Sequence, residues 1–162
     1  MTATSPSAPR ANLGLLLSKA SHALWSASTV ALAEVGITPR AYCVLTNAST
    51  GVLTQIQLAE LCGLDKTTMV VTVDELEAAG LAERHPSPTD RRVRIITVTE
   101  AGRRVAAEAQ QIVERVQDEV LAVIPVDERE ALVSGLTRLV GSPLCTRPAV
   151  SPPGSRRPRG TP

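Results

Sequence analysis

Apolar positions recur at three-and-four spacing along most of the chain, and each stretch is bracketed by residues that start or stop a helix. Leu13, Leu16, Ala20, Leu24, Ala27 and Ala31 share one face of a helix predicted from about Asn12 to Val35, stopped by Gly36. Thr38 can cap the next helix, with Pro39 at its first position, where a missing N–H costs nothing. That helix carries Tyr42, Val44 and Leu45 and ends before Ser49-Thr50-Gly51. Thr54 opens a third helix: Gln57, three residues on, can reach back to the cap, and Leu53 and Leu58 sit where a hydrophobic staple would close over it. It runs through Ala59 and Leu61 to a turn at Cys62-Gly63-Leu64. Asp65 caps a fourth helix whose core face is Met69, Val73 and Leu76, and Gly80 ends it.

Two short helices joined by a tight glycine-containing turn are the pattern of a helix-turn-helix, although a plain helical hairpin has the same pattern. The next segment separates the two. Leu81–His85 and Val93–Val98 read as short strands, the second a β-branched run, joined by Pro86-Ser87-Pro88-Thr89-Asp90-Arg91-Arg92. A hairpin in that place is a wing, and arginines at its tip suit a narrow minor groove, where negative potential is concentrated. Asp90 can equally hold Arg92 in a local ion pair that stiffens the loop; the two roles are compatible. Thr99 then caps a long fifth helix to about Val123, with Val105, Ala109, Ile112, Val116, Val120 and Val123 on one face. Pro125 breaks the chain, and Asp127 with Glu130 is expected to form a capping box for a last helix carrying Leu132, Leu136 and Leu139. Gly141 and Pro143 end it.

The first, fifth and sixth helices are apolar over more surface than a winged core can cover. A second copy of the chain would cover it, and two-fold symmetry would set two recognition helices about 34–36 Å apart, one turn of DNA. A monomeric helical bundle is the alternative. The predicted fold is thus mainly α with a small β-hairpin wing. A winged helix-turn-helix domain with N- and C-terminal dimerisation helices spans 12–141, and its DNA-binding core spans 38–98. Tails at 1–11 and 142–162, rich in Pro with Ser or Arg, are expected to be disordered.

Composition narrows the function classes. Hydrophobic residues make up 43% of the chain, but it has one Trp, one Tyr and no Phe, so the core must come from Leu, Val, Ile and Ala. No apolar run reaches the roughly 18–20 residues that cross a bilayer, and no signal-peptide pattern opens the chain. Cys43, Cys62 and Cys145 are scattered, as expected of reduced thiols in a cytoplasmic protein. The net charge of +1 hides an uneven spread. Arg147, Arg156, Arg157 and Arg159 lie in the C-terminal tail, leaving a mildly acidic body. That body nevertheless concentrates Arg84, Arg91, Arg92, Arg94, Arg103 and Arg104 in and just after the hairpin. A local basic patch of this kind suits contact with a polyanion, while a solvated charged surface is the plain alternative. Two histidines, His22 and His85, with no Ser/His/Asp set, metal-ligand cluster or glycine-rich phosphate loop, argue against an enzyme, a cofactor and a metal. Asp74, Glu75 and Glu77 read as a solvated helix face.

From Leu13 to Val140 the chain resembles the MarR family of bacterial regulators. The resemblance rests on Leu58-Ala59-Glu60-Leu61, Asp65-Lys66-Thr67-Thr68, Leu76-Glu77-Ala78-Ala79-Gly80-Leu81, the wing Pro88-Thr89-Asp90-Arg91-Arg92, and Val98-Thr99-Glu100-Ala101-Gly102, in that order. It implies a homodimer that binds double-stranded DNA at a roughly palindromic operator, most often as a repressor. The fourth helix would enter the major groove, making Lys66, Thr67, Thr68, Val70 and Val71 its DNA-facing residues. Arg92 matches the family's wing arginine with Asp90 as its positioning partner and Arg91 beside it, while Arg84 and Arg94 would lie near phosphates. Val70-Val71 departs from the polar residue and arginine that relatives often carry, and valine can pack on a thymine methyl but cannot read guanine.

The resemblance also implies a site for a small aromatic or phenolic effector, with His22, Trp25, Arg40 and Tyr42 at matching positions and Cys43 nearby. Trp25 and Tyr42 as core or interface residues, and His22 as a surface residue, is the ordinary alternative. Two other functions remain open at this level: a winged-helix scaffold without specific DNA binding, and a thiol-based redox regulator acting through Cys43. Cys62, at the turn of the helix-turn-helix, reads as structural. The basic tail is either an arm adding nonspecific DNA affinity or an inert extension.

Overall fold

The computed structural model describes residues 12–142. The tail at 1–11 and, but for Ser142, the tail at 142–162 lie outside the described residues, Cys145 and the tail arginines included. Two compact units divide the chain, one through Val120 and one from Leu121 on.

In the first unit, α1 (Leu13–Leu32) starts where the Asn12 side chain accepts the Leu15 amide at 3.0 Å. The expected continuous helix to Val35 instead tightens after Leu32 into a 3-10 turn, Ala33–Val35, closed by Gly36 at φ +71°. The glycine is needed there because a side chain in the left-handed region is strained. α2 (Pro39–Ala48) has the expected Thr38 cap, whose hydroxyl accepts the Ala41 amide at 3.2 Å. α3 (Gln55–Leu61) carries the expected capping box. The Gln57 amide donates to Thr54 Oγ1 at 3.2 Å and the Thr54 amide donates to Gln57 Oε1 at 2.9 Å.

One strand is not announced by the hydrophobic pattern. β1 (Leu53–Thr54) is two residues long, too short for any alternation to show. β2 (Ala82–Pro86) and β3 (Arg94–Val98) form the hairpin, in register from Ala82 opposite Val98 to Pro86 opposite Arg94. β1 pairs antiparallel with the other edge of β3, so β3 is the central strand of three. The sheet and α2–α4 (α4 spanning Lys66–Ala78) close on one aliphatic core, in which Leu32, Val44, Leu45, Leu58, Met69, Val73, Leu76 and Ile96 are fully buried. Each such side chain contributes roughly 1.5–3 kcal/mol of burial, which lets a core without aromatics hold.

α5 (Glu100–Leu121) follows β3 directly and buries Ala109, Ile112 and Val116 on the expected face. Its first turn fixes how it leaves the sheet. The Thr99 hydroxyl donates to the Gly80 carbonyl at 2.8 Å and accepts the Gly102 amide at 3.0 Å, while the Thr99 amide donates to the Leu81 carbonyl at 3.1 Å. Gly102 is buried against that same carbonyl. A Cβ on it would lie 2.0 Å from Leu81 O and 2.8 Å from Val98 Cγ1.

The second unit holds α6 (Val126–Val140). Its start corrects the sequence expectation, because the Asp127–Glu130 capping box does not form. The helix begins at Val126 after Pro125, so Asp127 is already inside the first turn and its carboxylate is not in the cap position. The Glu128 amide bonds the Pro125 carbonyl at 2.9 Å instead, and Arg129 Nε donates to the Ile124 carbonyl at 2.9 Å. Asp127 and Glu128 still favour this end by facing the helix dipole. α6 leaves Leu132, Val133, Leu136, Leu139 and Val140 at least partly exposed, and α1 does the same with Leu13, Leu15 and Leu16.

Gly102→Ala is expected to cost about 2–3 kcal/mol or more, since the added methyl meets backbone rather than a side chain that can move. Urea denaturation of the two proteins measures it, and an unchanged midpoint would show that α5 does not depend on this close approach.

Candidate nucleic-acid interface

The N-terminus of α4 is built around Asp65. Its Oδ1 accepts the amides of Thr67 and Thr68 at 2.9 and 3.0 Å, and its Oδ2 accepts the Thr68 hydroxyl at 2.6 Å. The Thr68 hydroxyl, its backbone amide and that of Thr67 hold the Asp65 carboxyl below its usual range. Behind this cap, Met69, Thr72, Val73 and Leu76 are buried, and the Thr72 hydroxyl donates to the Thr68 carbonyl at 2.9 Å. Lys66, Thr67 and Val71 therefore stand exposed on the outer face, while Thr68 and Val70 are half-buried. The Thr68 hydroxyl hydrogen is committed to Asp65, so only its oxygen can still serve a ligand as an acceptor.

The hairpin tip is organised by its backbone. Ser87 is buried, and its amide donates to the Val93 carbonyl at 2.9 Å. Asp90 Oδ1 accepts the Arg92 backbone amide at 2.9 Å, and the Asp90 carbonyl accepts the Val93 amide at 2.9 Å. Among the described residues there is no ion pair between the Asp90 carboxylate and the Arg92 guanidinium. Asp90 positions Arg92 through the main chain and leaves the Arg92 side chain exposed. Arg94 Nη1 donates to the Arg91 carbonyl at 3.0 Å, which ties the strand end to the tip. Lys66, Arg92 and Arg94 line one open cleft of about 480 Å³ between α3, α4 and the wing, with Thr54, Gln55 and Glu60.

Arg84 is placed differently from a free phosphate contact. Its Nη2 lies 2.7 Å from Asp74 Oδ1 and 3.6 Å from Glu77 Oε2, and its side chain is only 22% exposed. Glu77 Oε1 also accepts the Arg84 backbone amide at 2.8 Å. Asp74 is exposed, as the sequence implied, and Glu77 is half-buried, and both also join the end of α4 to β2. Their three-residue spacing sets both on one helix face just ahead of the turn to β2, and that spacing is the signal the sequence offers.

The effector candidates divide. Trp25 and Arg40 line one cleft of about 380 Å³, where the Arg40 guanidinium lies 5.6 Å from the centre of the Trp25 ring, within cation–π range. Thr29, Thr38, Thr67, Thr68, Val71, Thr72 and Glu75 also line it, and no sequence signal marks any of them for such a role. Tyr42 lines a second, smaller cleft with Leu24, Trp25 and Val113, and its hydroxyl donates to Gln110 Oε1. His22 is exposed on α1 and lines neither cleft, and Cys43 lies on α2 beside Asn47, also outside both.

Residues 35–93 match the model of the MarR family. A MarR-family transcriptional regulator from Rhodococcus sp. RHA1 superposes with a TM-score of 0.76 at 31% identity, covering 83% of this chain and 96% of that one. The chain belongs to the MarR family. The transcriptional repressor CouR, solved bound to a 23-mer DNA duplex, matches with a TM-score of 0.73 at 31% identity, over 79% of this chain and 92% of that chain. CouR from Rhodococcus jostii RHA1 bound to p-coumaroyl-CoA matches with a TM-score of 0.70 at 32% identity, over 81% and 93%. As a MarR-family winged-helix protein this chain is a DNA-binding transcriptional regulator and not an enzyme. Among the described residues, no helix is long and apolar enough to cross a membrane.

Glu77→Ala removes both of that residue's contacts to Arg84. It is expected to destabilise the fold by about 1–2 kcal/mol, the lower part of the range for hydrogen bonds to charged groups because the site is partly solvated. Chemical denaturation reads this loss, and a variant as stable as the parent would show that the Glu77 contacts do not help to hold α4 to β2.

Proposed function

We propose that this MarR-family regulator is a ligand-responsive repressor that binds a roughly palindromic operator as a homodimer. The observation that carries the DNA reading is the gathering of Lys66, Arg92 and Arg94 around one open cleft between the recognition helix and the wing. The arginine at the wing tip is exposed, its guanidinium makes no ion pair among the described residues, and its loop is braced by hydrogen bonds to the main chain. Lys66 and Thr67 offer polar groups to base edges, and Val71 offers a methyl-sized apolar contact. Groove shape and the wing then carry much of the specificity.

A second copy of the chain is the occupant proposed for the exposed leucines and valines of α1 and α6. Leu13 is 61% exposed, Leu16 53% and Val140 67%, more apolar surface than an isolated protomer keeps in water. The effector proposed is a small anionic aromatic molecule in the cleft of Trp25 and Arg40, where a ring can stack and a carboxylate can meet the guanidinium. Because Thr67, Thr68 and Val71 of α4 form part of the same wall, an occupant there touches the helix that meets DNA. Its differential fit to two positions of α4 is what would shift operator affinity.

Fluorescence anisotropy of the purified protein against the DNA upstream of its own gene, over a salt series, tests the first part. Arg92→Ala is expected to weaken binding by about tenfold or more, and to flatten the salt dependence by about 0.9 in log–log slope for each phosphate no longer neutralised. Weak binding to every sequence, indifferent to Arg92→Ala, would favour a winged-helix scaffold instead. For assembly, Leu136→Asp with Val133→Asp is expected to shift the protein from dimer to monomer in light scattering at micromolar concentration. A parent chain that is already monomeric would overturn the dimer.

A further inference from the structure

The chain has two lysines, Lys19 and Lys66, against fifteen arginines. Lys19 is exposed on α1, whereas Lys66 is the first residue of α4 and lines the cleft of about 480 Å³ that it shares with Arg92 and Arg94. Its backbone is held in place, because the Asp65 carboxylate accepts the amides of the next two residues at 2.9 and 3.0 Å. Its ammonium, like the Arg92 and Arg94 guanidiniums, makes no ion pair among the described residues. Glu60 stands on the wall of the same cleft, exposed and also outside any ion pair among those residues, and Leu64 and Val93 give the cleft an apolar side. One amine, two guanidiniums, one carboxylate and a small apolar wall thus meet in one place. The difference between lysine and arginine decides what can happen there. A guanidinium stays charged in a protein, whereas an amine can give up its proton and become a nucleophile. Of the three cations of the cleft, only Lys66 can therefore be acylated and lose its charge.

We propose that Lys66 is an acylation site whose donor is an acyl phosphate gathered into the cleft by Arg92 and Arg94. The guanidiniums hold the phosphate oxygens, since guanidinium–phosphate pairs are among the stronger charge-assisted hydrogen bonds. The small acyl group rests toward Leu64 and Val93. The Lys66 ammonium gives one proton to the Glu60 carboxylate, and the free amine attacks the acyl carbon. An N–C bond forms, the C–O bond to the phosphate breaks, and inorganic phosphate leaves with the electron pair. The second amine proton goes to the departing phosphate, and Glu60 returns the first to solvent. The product is an uncharged amide on Lys66, and no further reactant is needed.

Acylation takes one positive charge out of the cleft between α4 and the wing and leaves Arg92 and Arg94 in place, so its effect is graded. Resting on the operator-binding proposal, the consequence is weaker DNA binding. Losing one neutralised phosphate lowers affinity about fivefold at about 0.15 M salt and flattens the log–log salt dependence by about 0.9. Operator DNA and the acyl phosphate also compete for the same three cations, so bound DNA shields Lys66 from the donor.

The experiment incubates the full chain with millimolar acetyl phosphate at neutral pH and follows Lys19 and Lys66 separately by mass spectrometry. Lys66 is expected to be acetylated about tenfold faster than Lys19, a gain within reach of two cations that concentrate an anion locally. Inorganic sulfate added to the parent chain should slow Lys66 alone, which needs no variant to fold. Arg92→Ala with Arg94→Ala should bring Lys66 down to the Lys19 rate, and Glu60→Gln should slow Lys66 without changing Lys19. With p-nitrophenyl acetate, an uncharged donor, most of the preference for Lys66 should disappear. Equal rates at the two lysines of the parent chain, or a preference that survives both sulfate and the double arginine variant, would overturn the site. Operator affinity of the acetylated chain, measured separately by anisotropy, should fall by the factor given above. The same treatment should leave the affinity of Lys66→Arg at its own starting value. Acetylation of Lys66 with operator affinity unchanged would overturn the regulatory half. Absence of operator binding by the untreated chain would count against the DNA reading alone, since the acylation site is judged by mass.

Discussion

The arrangement of this protein depends on the close approach of α5 to the backbone at Gly80-Leu81. The Leu81 carbonyl accepts the Thr99 amide and lies directly over Gly102, with no room for a side chain between them. Meanwhile the Leu81 amide bonds the Leu76 carbonyl in the last turn of α4, and the Thr99 hydroxyl bonds Gly80. One short segment thus joins the end of the recognition helix, both strands of the wing and the start of the long helix. Hydrogen bonds and van der Waals contact at this crossing are all backbone or near-backbone, so they leave little freedom of angle. α4 and the wing are both fastened there.

Charge in the region is divided by function. Arg84, paired with Asp74 and Glu77, is spent on holding β2 against α4. Arg91 and Arg92 make no ion pair among the described residues and stay in solvent. That difference follows from geometry. Arg84, inside the hairpin, lies beside helix carboxylates, whereas the acid at the tip, Asp90, accepts the main-chain amide of Arg92. A basic cluster in sequence is therefore not a uniform surface, and only part of it can meet a polyanion.

The first turn of α4 is shared by three environments. Lys66 faces the wing cleft, Thr67, Thr68 and Val71 face the cleft of Trp25 and Arg40, and the turn that leads into Asp65 begins at Cys62. The Asp65 cap holds this turn rigid through three hydrogen bonds to one carboxylate. The proposed influence of a ligand on DNA binding rests on this turn having neighbours on several sides.

Much of this is legible along the chain. Periodicity and caps locate every helix, because the signals at Thr38, Thr54, Asp65 and Thr99 act over three or four residues and the core face repeats locally. The order of motifs from Leu58 to Gly102 is enough to name the family. The sequence does not show β1, whose two residues become a strand only through pairing with Ile95 and Ile96. It misleads at the start of α6, where Pro125 takes the cap position expected for Asp127. The pairing of Asp74 and Glu77 with Arg84 is not legible, because Arg84 lies outside the local window. Caps and helical faces are settled by neighbours in sequence, so the chain determines them by itself. Which charges are paired and which helix walls a cleft depend on contacts between distant segments, and only the tertiary structure decides those.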